Sequence, residues 1–323
     1  MNVSSNTGIQ IKCHAKINLS LDVTGMIQHQ NRNYHTLDSI FQLVSVYDIL
    51  SLSVVDLETE IEEDSRKLLE EFWGDHKIFL FCDTPGIPCD ERNLAYKAAA
   101  LFLQHSGKKA WVKIRLEKHI PSGAGMGGGS ADAAGVLYGL NQLLHTGYTN
   151  QELRELGVQL GADVPFFLLG GTAFAQGIGE KLIGLKPWNG LPLVILKGKQ
   201  SISTPEAYRA IDALVNPVHP DTENMLKAIA VQDQGLLCRS CGNLFESAIS
   251  CEDVNRAKRE LLSHGAECAI MTGSGSAVFG IFKNQKLANT CAELLKSESG
   301  FEFVQACQTQ ELNFEKLKQP GGV

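Results

Sequence analysis

The densest chemical signal in this chain of 323 residues is Pro121-Ser-Gly-Ala-Gly-Met-Gly-Gly-Gly-Ser-Ala-Asp132, with five glycines between Gly123 and Gly129. Glycine accepts positive φ and has no Cβ, so such a loop lets a ligand meet bare backbone. The stretch from Ser130 to Leu144 follows it and reads as a helix; an apolar strand through Val112, Ile114 and Leu116 precedes it. A glycine loop feeding a helix N-terminus offers unpaired N–H groups and a positive dipole end, which together suit a phosphate. A flexible linker would be polar and would not join a strand to a helix. The loop is not a P-loop, because no Lys follows Gly129-Ser130. A dinucleotide fingerprint can be laid over Gly123, Gly125 and Gly128, but no acidic residue closes a following strand. No HRD or DFG sequence occurs either. What remains is a nucleoside triphosphate held mostly by backbone amides, with Ser130 free to touch phosphate or Mg²⁺.

Phosphoryl transfer also needs a group that takes the acceptor's proton, and positive charge nearby. Asp163 stands in Gly161-Ala-Asp-Val-Pro165, with no other charge from Gly161 to Gly179. A carboxylate in apolar company has a partner or a task; the same residue before Val-Pro also reads as a turn cap. Lys16 falls on the polar phase of an alternating strand with Asn18 and Ser20. That phase is either a solvated face or one side of a site. Tyr34-His35 follows a polar stretch and reads as a strand start or as a pair that meets a base or sugar. Gly273-Ser-Gly-Ser276 lies between two apolar strands, as a hairpin turn or a second place for phosphate to approach.

These groups need elements to hold them. Alternation through Ile17, Leu19, Leu21 and Val23 predicts a strand, interrupted by the polar stretch Gln28–Asn33. Strands are expected over 48–55, 77–82 and 110–118, helices over 92–105 and 130–144, and a short helix over 65–72 after the acidic run 58–64. Thr149 with Glu152 marks a capping box for a helix reaching Leu160. Pro187–Pro192 reads as a domain boundary. Beyond it, strands are expected over 193–196, 267–271, 277–282 and 301–307. Helices are expected near 205–215, 223–231, 243–250, 252–264 and 285–296. The pattern predicts an α+β protein with residues 1–186 as an N-terminal domain and 187–323 as a C-terminal, ferredoxin-like sandwich.

The chain is long enough for two domains. Its 44% hydrophobic and 20% charged residues are ordinary for a globular protein. The net charge of −7 gives no basic surface for nucleic acid. No apolar run is long enough for a bilayer span, and the first residues lack the pattern of a signal peptide. Nine scattered cysteines predict free thiols in a reducing cytoplasm; Cys238-Arg-Ser-Cys241 lacks the second pair a zinc site needs.

Taken together, the strand motif Ala15–Leu19, the loop Pro121–Ser130 and the turn Thr272–Ser276 resemble the GHMP kinase superfamily. With Tyr34-His35, Asn93-Leu94, Gly161–Pro165, Gly177–Glu180, Ser201–Pro205 with Tyr208, and Asn243–Glu246, the chain is similar to one branch of it. The acceptor of that branch is 4-(cytidine 5′-diphospho)-2-C-methyl-D-erythritol. The resemblance implies a two-domain GHMP-kinase architecture with the active site in the cleft. It implies ATP-dependent phosphorylation of the acceptor's 2-hydroxyl, in the non-mevalonate route to isoprenoid precursors, with ATP and Mg²⁺. It implies Asp163 as base and Lys16 as its charged neighbour. Pro121, Ser122, Gly123, Ala124, Gly125, Met126, Gly127, Gly128, Gly129, Ser130 and Ala131 would form the ATP loop. Asn18, Tyr34, His35, Thr204, Tyr208 and Gly273 would meet the substrate. It further implies a cytoplasmic monomer or homodimer whose partner is a small molecule, not nucleic acid or membrane. Two positions depart from the family pattern. Arg32-Asn33 stands where Asp-Gly precedes Tyr-His, and Ala131 replaces a second serine.

Overall fold

The computed structural model describes residues 7–29, 32–57, 77–298 and 300–317. The expected acidic run 58–64 and short helix 65–72 lie outside them. The alternating segment belongs to β1 (Thr7–His29), which pairs antiparallel with β2 (Arg32–Asp56) along one long hairpin. The polar stretch Gln28–Asn33 thus does not separate two short strands. Its described residues lie at the far ends of β1 and β2, with Gln28 opposite Asn33. β1 is bulged between His14 and Lys16, which re-aims a side chain where the sheet is otherwise regular.

Next come β3 (Ile78–Cys82), α1 (Leu94–Ser106), β4 (Ala110–Glu117), α2 (Gly128–Leu143), α3 (Asn150–Val158) and α4 (Val164–Leu169). β4 pairs with β2 and β3. α1 and α2 bury Ala98, Phe102, Ala134 and Leu137 in one core with Ile11, Leu50, Leu52 and Ile114 of this sheet. The expected capping box of α3 is formed: Thr149 Oγ accepts from Glu152 N while the Glu152 carboxylate accepts from Thr149 N. Pro165 stands in the first turn of α4, where its missing N–H costs nothing.

The chain continues through β5 (Thr172–Gln176), β6 (Lys181–Gly184), β7 (Pro192–Lys197), α5 (Thr204–Asp212), α6 (Thr222–Val231), α7 (Gln234–Ser240) and β8 (Gly242–Asn243). It ends with α8 (Phe245–Ala248), α9 (Glu252–Ser263), β9 (Cys268–Met271), β10 (Val278–Ile281), α10 (Gln285–Glu298), β11 (Phe303–Gln310) and β12 (Phe314–Lys316). The helix expected over 243–250 shrinks to the four residues of α8. Asn243 is taken out of it, because its side-chain amide donates to Met271 O at 2.7 Å and Gly273 O at 2.8 Å. α4, β5, β6, α7, β8 and β12 were not expected; each is seven residues or fewer. All nine cysteines are free.

The strand order β12-β1-β2-β11-β7-β10-β9 makes one continuous sheet. β11 joins its halves: Phe303–Gln308 pairs with β7, and Thr309–Gln310 with β2. β12 then returns to β1. A second core spans the junction, with Ala15, Ile17 and Leu19 of β1 against Leu193, Ile195, Ala277 and Phe279. The functional groups gather above this junction.

Candidate active site

The glycine loop is built by alternation. Gly123, Gly125 and Gly127 have φ of +62°, +74° and +72°, a region closed to most side chains. Between them, Ala124 and Met126 point inward and are buried in the junction core. The loop therefore turns its apolar side chains to the protein and its bare backbone outward. Gly127 is the N-cap of α2 and supplies no side-chain cap, so the first helical amides are open to an anion.

The loop does not stand alone. Lys16 N donates to Met126 O at 3.0 Å, tying the loop to the bulge in β1. Ser276 N and Ala277 N donate to the carbonyls of Gly123 and Ala124, both at 3.3 Å. A Cβ on Gly125 would lie 2.2 Å from Thr272 O, so the two glycine turns pack backbone on backbone. The Thr272 hydroxyl accepts from Asn18 N at 3.0 Å and lies 3.2 Å from Asn18 Oδ1. Three sequence segments thus meet here, and the approach of Gly125 to Thr272 is one that only glycine permits.

Lys16 and Asp163 face each other here. Lys16 Nζ is 3.6 Å from Asp163 Oδ2 and donates to Asn18 Oδ1 at 2.8 Å; its side chain is 5% exposed. It also lies 4.8 Å from the centre of the Phe41 ring. Asp163 holds the N-cap position of α4 but has αR backbone and makes no capping bond. Its carboxylate is free of the turn and aims at the lysine. Of the two readings of Asp163, the geometry removes the side-chain cap.

One cavity of about 350 Å³ is lined by Lys16, Asn18, Gly125, Gly127, Ser130, Asp163, Thr204, Tyr208 and Gly273. A second, of about 330 Å³, lies on the other side of the loop and is lined by Pro121–Gly129 with Asn93, Lys118 and Asp132. Gly125 and Gly127 border both. The site is therefore two chambers sharing a glycine wall.

Three expected residues stand elsewhere. Ala131 is fully buried in the first core, and its N–H is spent on Gly127 O at 2.9 Å, so it offers a nucleotide nothing. Tyr34 and His35 do not line either cavity. His35 instead stacks on Tyr208, with ring centres 4.5 Å apart and planes at 18°, and its Nε2 lies 2.7 Å from Asp212 Oδ1. Tyr208 packs edge-on against Phe245. Burial, and then the nearby Asp163 charge, push the Tyr208 hydroxyl up to about 12.

Of the turn Thr272–Ser276 sequence reasoning assigned only Gly273 to the substrate, and it gave Phe245 no role; Ser274 Oγ lies 2.8 Å from Thr204 Oγ1. It also missed Lys118 and Asp48, which are bonded to each other next to the loop. Lys118 carries the one signal that was available: it continues the apolar phase of Val112, Ile114 and Leu116, where a charge is out of place.

Comparison with known proteins agrees with this geometry. The pattern of the GHMP kinases N terminal domain matches residues 93–171, and that of the GHMP kinases C terminal domain matches 225–298. A 4-diphosphocytidyl-2-C-methyl-D-erythritol kinase of Clostridium tetani is 40% identical, over 90% of this chain and 96% of the relative. The Caldicellulosiruptor bescii protein of the same name is 38% identical over 89% and 94%. A crystal structure of 4-(cytidine 5′-diphospho)-2C-methyl-D-erythritol kinase superposes with a TM-score of 0.72 at 31% identity, covering 93% of this chain and 99% of that one. Homoserine kinase from Cytophaga hutchinsonii shares the fold, with a TM-score of 0.73 at 18% identity over 97% and 98%. The chain belongs to the GHMP kinases and, within them, to the 4-diphosphocytidyl-2-C-methyl-D-erythritol kinase family.

Proposed function

We propose that this protein transfers the γ-phosphoryl group of ATP to the 2-hydroxyl of 4-(cytidine 5′-diphospho)-2-C-methyl-D-erythritol. The observation that carries this reading is the Lys16–Asp163 pair at 3.6 Å, facing a glycine wall that borders two chambers. ATP takes the chamber along Pro121–Gly129, its phosphates on the amides of the loop and of the α2 N-terminus. The acceptor takes the chamber with Lys16 and Asp163. Asp163 receives the hydroxyl proton, the oxygen bonds to the γ-phosphorus, and the bond to the bridging oxygen breaks to release ADP. Lys16 stabilises negative charge on the attacking oxygen, which a tertiary alcohol needs because it is a weak acid.

Mg²⁺ fits as a companion of the triphosphate. Among the described residues, no three His, Cys, Asp or Glu side chains are grouped to hold a cation by themselves. Ser130 lines the acceptor chamber with Asp163 and is the hydroxyl the chain offers to such an ion. Nine free thiols suit a reducing compartment. Among the described residues no helix is long and apolar enough to cross a membrane.

The test is ADP release from ATP with the cytidylyl substrate, set beside homoserine, mevalonate and the same sugar phosphate without cytidine. Release with the cytidylyl compound alone supports the reading. Equal turnover of another acceptor overturns the substrate.

Two variants probe the chambers separately. Gly127→Val is expected to raise the KM for ATP more than that for the acceptor. Its φ of +72° excludes a β-branched residue, and a Cβ there would lie 2.7 Å from the Phe167 ring. Unchanged affinity for ATP in a folded variant would remove the loop as the cradle. Tyr208→Ala is expected to weaken binding of the cytidylyl substrate by about 5- to 150-fold, the worth of one stacked base, with ATP binding unmoved. The pyrimidine takes the ring face that His35 covers, so it must displace that imidazole. Calorimetric titration of each substrate reads both variants.

A further inference from the structure

A second set of buried charges in this region lies outside the Lys16–Asp163 pair. Lys118, one residue past β4, is bonded to Asp48 and, at 2.5 Å, to Asp132 Oδ2; none of the three side chains is more than 8% exposed. Asp48 Oδ1 also accepts from the backbone N–H of His119 at 2.6 Å and of Ile120 at 2.8 Å. The second oxygen of Asp132, Oδ1, is buried without a hydrogen-bond partner. Two carboxylates and one ammonium leave one negative charge in excess. Burying such a group is costly, and an apolar trio of similar volume would hold the fold at least as well. A stability role alone does not account for it.

Its position does. Asp48 comes from β2, Lys118 from the residue that leads into the glycine loop, and Asp132 is the fifth residue of α2, which leaves it. The cluster pins entry and exit of the loop to one point on the sheet. Lys118 and Asp132 also border the chamber assigned to ATP, beside Gly128 and Asn93.

We propose that Asp132 is a positioning residue for the phosphoryl donor: through Lys118 and Asp48 it fixes the two ends of the glycine loop, so that the loop amides face the triphosphate before it arrives. This rests on the loop being the ATP cradle. A loop with five glycines loses much backbone freedom when ordered. Fixing its ends in advance lowers the ordering cost that binding must overcome.

The groups that face Asp132 are Lys118 from the loop entry, Asp48 from β2 and Cys13 from β1. Burial raises the proton affinity of Asp132, Lys118 opposes this, and Asp48 adds to it; the net direction is up. Falling pH therefore protonates Asp132 earlier than an ordinary carboxylate, and the neutral acid still accepts from Lys118 as an Asn would.

The experiment compares full-length wild type, Asp132→Ala and Asp132→Asn in steady-state kinetics and direct ATP titration across pH. Asp132→Ala leaves Lys118 paired one to one with Asp48, so it is expected to fold. Its KM for ATP is expected to rise about tenfold, with kcat and the acceptor KM within about twofold. Asn still accepts from Lys118 and is expected to restore most of the ATP affinity. The wild-type KM for ATP is expected to stay near that of Asp132→Asn as pH falls, because a protonated Asp132 still accepts from Lys118 as the amide does. An unchanged ATP KM in Asp132→Ala, with only a lower melting temperature, overturns the proposal and leaves a structural brace. Failure of Asn to restore affinity also overturns it. Wild type without ADP release would remove the donor site itself; normal wild-type turnover with an unmoved variant removes this inference alone.

Discussion

Asp163→Asn is expected to fold, to bind ATP and the cytidylyl substrate, and to lose about 10²–10⁴-fold in kcat, the usual contribution of a positioned general base. Folding is safe because the carboxylate makes no capping bond to α4, whose start is set by Pro165 and by Phe166 N donating to Asp163 O. Asn has nearly the same size, so the wall of the chamber keeps its shape. Lys16 keeps its 2.8 Å bond to Asn18 Oδ1 and so stays in place. What disappears is the only carboxylate among the described residues that line that chamber, and with it the group that can take the proton. Steady-state ADP release gives kcat, and calorimetry gives both dissociation constants. A variant within a few-fold of wild type would show that Asp163 orients Lys16 without accepting the proton. A loss confined to substrate affinity would place it in binding.

Much of this site was legible in the sequence, for a physical reason. Five glycines in seven positions stand out in any sequence; Gly123, Gly125 and Gly127 take positive φ, and Gly125 has no room for a Cβ against Thr272. The alternation of β1 put Lys16 and Asn18 on one phase, and the fold turns that phase toward the chamber. The capping box at Thr149 is local chemistry and formed as expected. Ala131 was carried along by its neighbours in the motif; helical periodicity places it on the buried side of α2. His35 is different. Nothing within ten residues of it announces Tyr208 or Asp212, because the contact exists only when the hairpin meets α5. Asn243 likewise looked helical, and its partners lie 28 and 30 residues away. The Lys118 cluster was the hardest to see. Asp48 is 70 residues from Lys118, and neither belongs to a spacing that reads as a site.

That cluster also carries the largest expected change in stability. Lys118→Met is expected to cost about 3–5 kcal/mol at pH 7, the penalty for breaking a buried ion pair by removing one partner. Against a total of about 5–15 kcal/mol for a folded domain, such a variant is folded but marginal. Met fills much the same volume and keeps the apolar stem, so packing changes little. The cost comes from Asp48 and Asp132, left close together with no cation between them. The pH dependence follows from signs. In wild type, burial lowers the pKa of Lys118, but Asp132 and then Asp48 outweigh this and hold it above the ordinary lysine value. Its stabilisation is therefore fully present below about pH 10 and is lost only in strong alkali. Asp132 has the same sense in a lower pH window. Its proton affinity is raised by folding, so it gains stability as pH falls toward the ordinary carboxylate range near 4. Without Lys118 that rise grows, because the one group opposing it is gone. The deficit of Lys118→Met is therefore expected to shrink between pH 8 and pH 5, as measured by urea unfolding at both. Adding Asp132→Asn is expected to recover part of the loss at pH 8 and little at pH 5, since a proton has already done there what the amide does. A deficit that stays constant with pH, and that the second substitution leaves untouched, would assign the effect to the lost lysine stem. The charge balance of the cluster would then contribute nothing measurable to the fold.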